Sequence, residues 1–446
     1  MRRLASRAVL RALAASLGLG LASLAVIDPA PSYDPWAWLL WGRELAGGSL
    51  STLEGPAFKP LPVAVCALLA PLGSAAPWLW VLVVRVAAAA AAWLAYGLAR
   101  RLAGGSRLAG VLGAVGVLLC GALPAYSAAG AEPALVLALA LGAAAAWRAE
   151  RFGVATACAV GCGLLRVEAW PFLLAAGLVC WRRRPQDRPL LAALTLLVPA
   201  AWLLPELIGS GDLLRSGERA RVPNPGQPAL ADMPGLAALK AAVGLPLWPA
   251  WLGVAALIAL RARAALVPAA AGAAWIAVVA LMAQAGFSGE PRYALPGAAM
   301  IALSGAIGLA RAARGRRLAR PALTAVVALF ALAAAPKLAE LAPLRADQAY
   351  QWHLAGELDE AIRAAGGRTA VLACGRPFVG PFRGPLMAYR MEVEKHVVEP
   401  DARPRAPGMV FRSALTRASA PAPDAAGEFV EVARTERWRV LAACAT

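Results

Sequence analysis

Apolar stretches of about twenty residues recur along the chain as far as Lys337, and that is the length at which an α-helix crosses the hydrocarbon of a bilayer. Lipid offers the backbone no hydrogen-bond partner, so each stretch is predicted to be a helix. Short basic clusters stand between them: Arg2, Arg3, Arg7 and Arg11; Arg100, Arg101 and Arg107; Arg148 and Arg151; Arg182, Arg183, Arg184 and Arg188; Arg261 and Arg263; Arg311, Arg314, Arg316, Arg317 and Arg320. Cytoplasmic loops accumulate Arg and Lys. Placing every cluster inside yields about eleven spans, at 8–27, 77–99, 108–126, 132–147, 152–165, 169–181, 189–209, 242–260, 264–284, 293–311 and 321–337. The N-terminus is then cytoplasmic, and everything beyond Lys337 lies outside a plasma membrane crossed many times. Residues 152–165 and 169–181 are short for spans and read as a hairpin bent at Arg166 and Glu168; removing the pair leaves the parity unchanged. Segment 60–73 is apolar but suits a re-entrant or interfacial element better than a span, so it belongs to a first outer loop from Asp28 to Ala76.

Beyond Lys337 the hydropathy falls. Residues 344–365 read as an amphipathic helix, with Leu354, Leu358 and Ile362 at helical spacing. RTAVLACG reads as a short buried strand, GPFRGPLMAYRMEV as a helix, and KHVVEP, GMVFRS, EFVEVARTE and WRVLAACAT as strands. SAPAPDAAG is a Pro/Ala-rich loop. The fold class is therefore an α-helical polytopic membrane protein, residues 1–337, carrying a small extracytoplasmic α/β domain, residues 338–446.

Composition agrees with the pattern. Of the 446 residues, 60% are hydrophobic and only 16% charged, against about 45–50% and about 25% in soluble domains. A net charge of +18 would suggest nucleic acid in a soluble protein, but here the basic residues are topological, and no nucleic-acid partner is expected. The basic start and apolar run to Ile27 resemble a signal peptide, yet the run exceeds a usual signal core and reads as an uncleaved first helix.

Within the first loop, Asp34 to Leu45 reads as an amphipathic helix on the membrane, with Trp36, Trp38 and Trp41 at headgroup level. Asp34 is at its start, where Asp is also a good helix cap. Lys59 precedes Pro60 where the chain turns apolar again. Glu132, Arg166, Glu168, Arg292 and Tyr293 fall on the same outer side. Arg85 lies about 12 Å into its span, where a charge costs about 2.5–3.5 kcal/mol and normally faces protein or a wet cavity. Together Arg85, Arg166 and Arg292 suggest an anionic ligand at the outer leaflet, a lipid phosphate being the natural match for Arg.

In this order the motifs resemble the GT-C superfamily of membrane glycosyltransferases, nearest the protein O-mannosyltransferases and lipid A aminoarabinose transferases. The resemblance is carried over residues 8 to 312 by DPWAWLLWGRELAGGSL, AFKPLPVAVCALLAPLG, WVLVVRVAAAAAAWLAYGLARRLAG, CGLLRVEAWPFLL and EPRYALPGAAMIAL. It implies an inverting transfer from a polyprenyl-phosphate-linked sugar to an extracytoplasmic acceptor, which could be glycan, lipid or protein. By position, Asp34 would be the general base, and Lys59, Arg85 and Arg292 would hold the donor phosphate, with Glu44, Glu132, Arg166, Glu168 and Tyr293 as supporting residues. Many relatives have Asp-Glu where this chain has Asp34-Pro35, so Glu44, Glu54 or Glu132 would supply the second acid. No cofactor and no metal ligand set is claimed, and the metal requirement stays open. A transporter or flippase would also use charges within the membrane, and a catalytically inactive scaffold is the third reading.

Of the seven cysteines, Cys66, Cys120, Cys158, Cys162 and Cys180 fall in or near apolar segments and read as packing residues. Cys374 and Cys444 each end a predicted strand of the outer domain, where an oxidising compartment permits a disulfide. His353 and His396 form no catalytic or metal constellation.

Overall fold

A computed structural model describes residues 2–313, 319–419 and 428–444. Among them, six helical stretches are long and apolar enough to cross a bilayer: Val9–Val26, Pro60–Leu102, Pro185–Ser210, Arg263–Gln284, Pro291–Ala312 and Arg320–Ala364. Shorter apolar helices, including Arg107–Leu118, Pro133–Arg148, Phe152–Leu165 and Pro249–Ala259, pack among them. The chain is a multi-pass helical membrane protein with a small C-terminal α/β unit.

Several predicted spans are broken by backbone chemistry. The stretch 108–126 is two helices, Arg107–Leu118 and Leu123–Ala128. Between them Gly121 adopts φ 53, a left-handed geometry glycine reaches at little cost, and its N–H donates to the Leu245 carbonyl at 2.7 Å. The stretch 242–260 shortens to Pro249–Ala259, because Pro246 and Pro249 stop the preceding helix Pro234–Val243 from running on. Segment 60–73 is a short helix, Pro60–Leu69, followed by a 3-10 turn that kinks at Gly73 into the long helix Ala76–Leu102. The expected hairpin is present: Phe152–Leu165 and Trp170–Arg183 flank a 3-10 turn at Val167–Ala169.

Helix Pro291–Ala312 is the centre of the bundle, buried along nearly its whole length. Small residues let its neighbours approach, as in membrane helix pairs generally. A Cβ at Gly305 or Gly308 would run into the backbone of Pro249–Ala259, and one at Gly297 into that of Arg263–Gln284. Inside the latter helix Pro268 interrupts the ladder. The Ser304 hydroxyl fills the gap, accepting from Ala269 N–H and donating to the Ala265 carbonyl, each at 2.9 Å, so the freed groups stay satisfied without water. At 1.5 Å per residue this helix is roughly 33 Å long, which sets Arg292 at one face of the bundle and Arg311 at the other.

Helices Ala319–Ala339 and Leu341–Ala364 meet at Glu340, whose backbone is itself helical. The C-terminal unit is thus carried on a nearly continuous rod, whose Leu354, Leu358 and Ile362 are buried as their spacing predicts. RTAVLACG is not a strand. It is helix Gly367–Cys374, entered through Gly366 and Gly367 at φ 95 and 84; a short apolar run does not distinguish strand from buried helix by periodicity. The strand comes just after it, β1 at Arg376–Val379. KHVVEP forms a 3-10 turn and only a two-residue strand, β2 at Glu399–Pro400. β3 (Gly408–Arg412), β4 (Val430–Arg434) and β5 (Arg439–Ala443) fall where expected. Among the described residues the sheet order is β2-β1-β3-β5-β4, with β1 parallel to both its neighbours and the rest antiparallel. A disulfide joins Cys374 to Cys444. The loop SAPAPDAAG falls, from Ala420 on, outside the described residues.

Candidate active site

The first loop holds a helix, Tyr33–Gly47, as expected, but its indoles do not face a headgroup layer. Its Trp36, Trp38 and Trp41 are buried in protein. Trp38 meets Trp80 of the bundle, Trp41 meets Phe58, and Trp36 meets Tyr389 of the C-terminal unit, with ring centres 5.3–5.6 Å apart. The helix is sandwiched between bundle and C-terminal unit, which removes indole from water more completely than a headgroup layer would. The residue at the cap position is Ser32; Asp34 lies inside the first turn, so its carboxylate is free for other partners.

Those partners come from three helix mouths. Lys59, Glu132 and Glu290 each stand at the cap position of a helix that opens on proline, at Pro60, Pro133 and Pro291. Proline is tolerated at the first helical position because that N–H has no intrahelical partner. The shared X-Pro opening therefore puts one charged side chain at each mouth, and Arg292 follows Pro291 directly. Asp34 Oδ2 is 3.0 Å from Arg292 Nη2 and 4.0 Å from Lys59 Nζ. Lys59 Nζ donates to Glu132 Oε1 at 2.7 Å. Arg166 also pairs with Glu132 and lies 3.8 Å from Glu168. Arg292 Nε is 2.9 Å from Glu290 Oε2. Tyr293 presents its ring to both guanidiniums, at 3.8 Å from Arg166 and 5.3 Å from Arg292.

Burial grades this network. The Glu132 side chain is fully buried, whereas those of Lys59, Asp34 and Arg292 retain 9%, 12% and 16% of their exposure. The accessible end is thus Glu290, Arg292 and Asp34; Lys59 lies buried behind Asp34, with Glu132, Arg166 and Glu168 as the deeper support. The turn bearing Arg166 and Glu168 is fixed by Trp170 and Trp202, whose indole N–H groups both donate to the Gly163 carbonyl, at 3.0 and 2.9 Å. Trp170 also lines an apolar groove of about 660 Å³ among helices Pro133–Arg148, Phe152–Leu165, Trp170–Arg183 and Arg188–Ser210.

ArnT from Cupriavidus metallidurans, solved bound to undecaprenyl phosphate, superposes on this architecture with a TM-score of 0.52 over 99% of each chain, at 15% identity. Its apo state gives 0.56 over 98% of each chain, at 17% identity. This chain has the fold of ArnT. No protein-family model and no curated protein matches the sequence, so the likeness to ArnT is one of architecture.

Two expected site residues stand elsewhere on that architecture. Arg85 does not join the Asp34 group. Its Nη1 donates to the Ser23 and Ile27 carbonyls at 3.0 and 2.7 Å, and its Nη2 to those of Asp28 and Ala128 at 3.0 and 3.1 Å. Carbonyls at and just past a helix C-terminus lack intrahelical donors, and Arg85 supplies them where helices Arg2–Val26 and Leu123–Ala128 end, which explains a charge at that depth without a ligand. Glu44 also points away: its Oε2 accepts from Ser51 N–H at 3.0 Å, closing the end of the Tyr33–Gly47 helix. Burial pushes its carboxyl up to about 7. Glu54 pairs with Lys395 of the C-terminal unit at 2.8 Å. The residue missed in sequence is Glu290, and the Glu-Pro opening it shares with Glu132 was the available signal.

Proposed function

We propose that the chain is a membrane glycosyltransferase that moves a sugar from a polyprenyl-phosphate donor to an extracytoplasmic acceptor, inverting the anomeric centre, with Asp34 as general base. The observation that carries this reading is the half-buried Asp34–Arg292 pair, with buried Lys59 beside it, at the bundle face that meets the C-terminal unit. The arriving phosphate draws Lys59 and Arg292 to itself, since charge-assisted bonds from Arg and Lys to phosphate are strong. That frees the Asp34 carboxylate to take the proton of the acceptor hydroxyl. The hydroxyl oxygen then bonds to the anomeric carbon as the bond to the phosphate oxygen breaks. The leaving polyprenyl phosphate keeps that electron pair, and the two cations stabilise its charge. Glu132, buried behind Lys59, serves as the second acid that Pro35 displaces from the loop. Arg85 has no part in binding the donor.

Further support comes from three places. The apolar groove reached through Trp170 suits a polyprenyl tail. ArnT, which shares the fold, was solved with undecaprenyl phosphate bound. The Cys374–Cys444 disulfide fits an oxidising side of the membrane, with the N-terminus and the basic clusters on the cytoplasmic side.

Membranes bearing the wild-type chain or Asp34→Asn, supplied with radiolabelled polyprenyl-phosphate sugars, test the reading. Loss of a general base is expected to slow transfer by at least about 100-fold; equal transfer by both refutes Asp34 as base.

A further inference from the structure

A second cavity, of about 480 Å³, opens between the first loop, the segment after Arg215 and the C-terminal unit. Its lining is unlike that of the apolar groove. Glu54, Glu218 and Glu399 are matched by Arg215, Arg219 and Lys395, so the formal charges cancel. Lys395 is held by Glu54, Arg215 by Glu206 and Glu399 by Arg376, while Arg219 donates to the Val222 carbonyl. Such a wall offers donors and acceptors in equal measure and no net field. It suits a neutral, hydroxyl-rich ligand better than an anion.

Phe382 adds an aromatic surface at the rim. It is 52% exposed and holds φ 63, a left-handed backbone that is a genuine outlier for a bulky side chain. Strain of this kind persists where surrounding structure and function require it. The Phe382 ring meets Tyr33 edge-on, centres 6.2 Å apart at 88°, and Tyr33 immediately precedes Asp34 on its helix. A sugar ring has a C–H face that packs on the negative face of an aromatic ring and a rim of hydroxyls that both donate and accept. A peptide adding to the sheet would meet edge strand β2, where Pro400 has no N–H to offer. An acyl chain would meet charged walls.

We propose that this cavity seats a neutral carbohydrate as the acceptor of the transfer, with Phe382 as its stacking surface and Glu218 and Arg219 as partners for its hydroxyls. The proposal rests on the glycosyltransferase reading, and Tyr33, which lines the cavity, is the chain neighbour of Asp34.

The test is saturation-transfer NMR on the full chain in lipid nanodiscs, without donor. The probes are mannotriose, arabinotriose, galactotriose, lipid A and a Thr-rich peptide. At least one trisaccharide is expected to bind. Phe382→Ala should weaken that binding about fivefold to tenfold, and Phe382→Trp should retain it. Phe382→Gly, which suits φ 63, should keep or raise the melting temperature while weakening the sugar. No trisaccharide binding, binding indifferent to Phe382→Ala, or a Phe382-dependent signal from lipid A or the peptide alone overturns the proposal. Asp34-dependent transfer without carbohydrate binding here refutes this site only. Carbohydrate binding without any transfer leaves the carbohydrate site standing and refutes the glycosyltransferase reading.

Discussion

At the scale of residues, two side chains of similar sequence appearance have opposite duties. Arg85 and Arg292 both look like buried cations awaiting a phosphate, but Arg85 spends its terminal nitrogens on four backbone carbonyls. Arg85→Met is therefore expected to cost about 3 kcal/mol, because bonds from a charged donor are worth about 1.5–3 kcal/mol and their loss leaves buried acceptors bare. Thermal unfolding in detergent measures that loss, and the transfer rate per folded molecule should stay near wild type. Glu44 gives a pH prediction. Its folded carboxyl titrates at about 7, above its ordinary 4.5, chiefly because burial disfavours the charge. The folded state then binds more protons than the unfolded state between those values, so stability falls as pH rises from about 4.5 to about 7. Glu44→Gln should match the wild type near the lower end of that window and exceed it in melting temperature above the upper end. A melting difference independent of pH would contradict this account.

At the scale of elements, helix Pro291–Ala312 carries Arg292 and Tyr293 to the site, and its glycine contacts fix where that mouth lies. Gly308→Leu pushes a side chain into the backbone of Pro249–Ala259. Overpacking of this kind costs about 1–3 kcal/mol or more, and small-residue contacts between membrane helices leave little room to relax. A lower unfolding temperature is expected, together with weaker transfer from a displaced Arg292. Unchanged stability would show that the helices separate freely. The X-Pro openings work at the same scale: three mouths, each capped by a charge, converge although their sequences are far apart.

At the scale of the whole molecule, the C-terminal unit acts as a clamp on the first loop. Arg43 Nη1 donates to the Tyr389 carbonyl at 2.8 Å, Trp36 packs on Tyr389, and Glu54 pairs with Lys395. Within the unit, the disulfide closes a loop of 70 residues, worth about 4 kcal/mol on the chain-entropy account. Cys374→Ser should lower the denaturant midpoint accordingly and expose Cys444 to alkylation. An unchanged midpoint would mean that the unit is held by packing alone.

The membrane class, most helix positions and the charged mouth residues Lys59, Glu132 and Arg292, though not Glu290, were legible in the sequence, because apolar length and Pro or charge punctuation are local properties of the chain. Cys374 and Cys444 were legible as a pair because they are the two cysteines of the segment beyond Lys337, although the element ending at Cys374 is a helix. Other contacts between distant segments were not. Only the tertiary structure decided that Trp36, Trp38 and Trp41 are core residues, that Arg85 spends itself on backbone carbonyls, and that Arg292, paired with Glu290, reaches Asp34 across more than 250 positions of chain. Hydropathy records how much a residue avoids water, whereas the partner it meets is set by how helices cross. That depends on glycine contacts and kinks summed over the whole bundle.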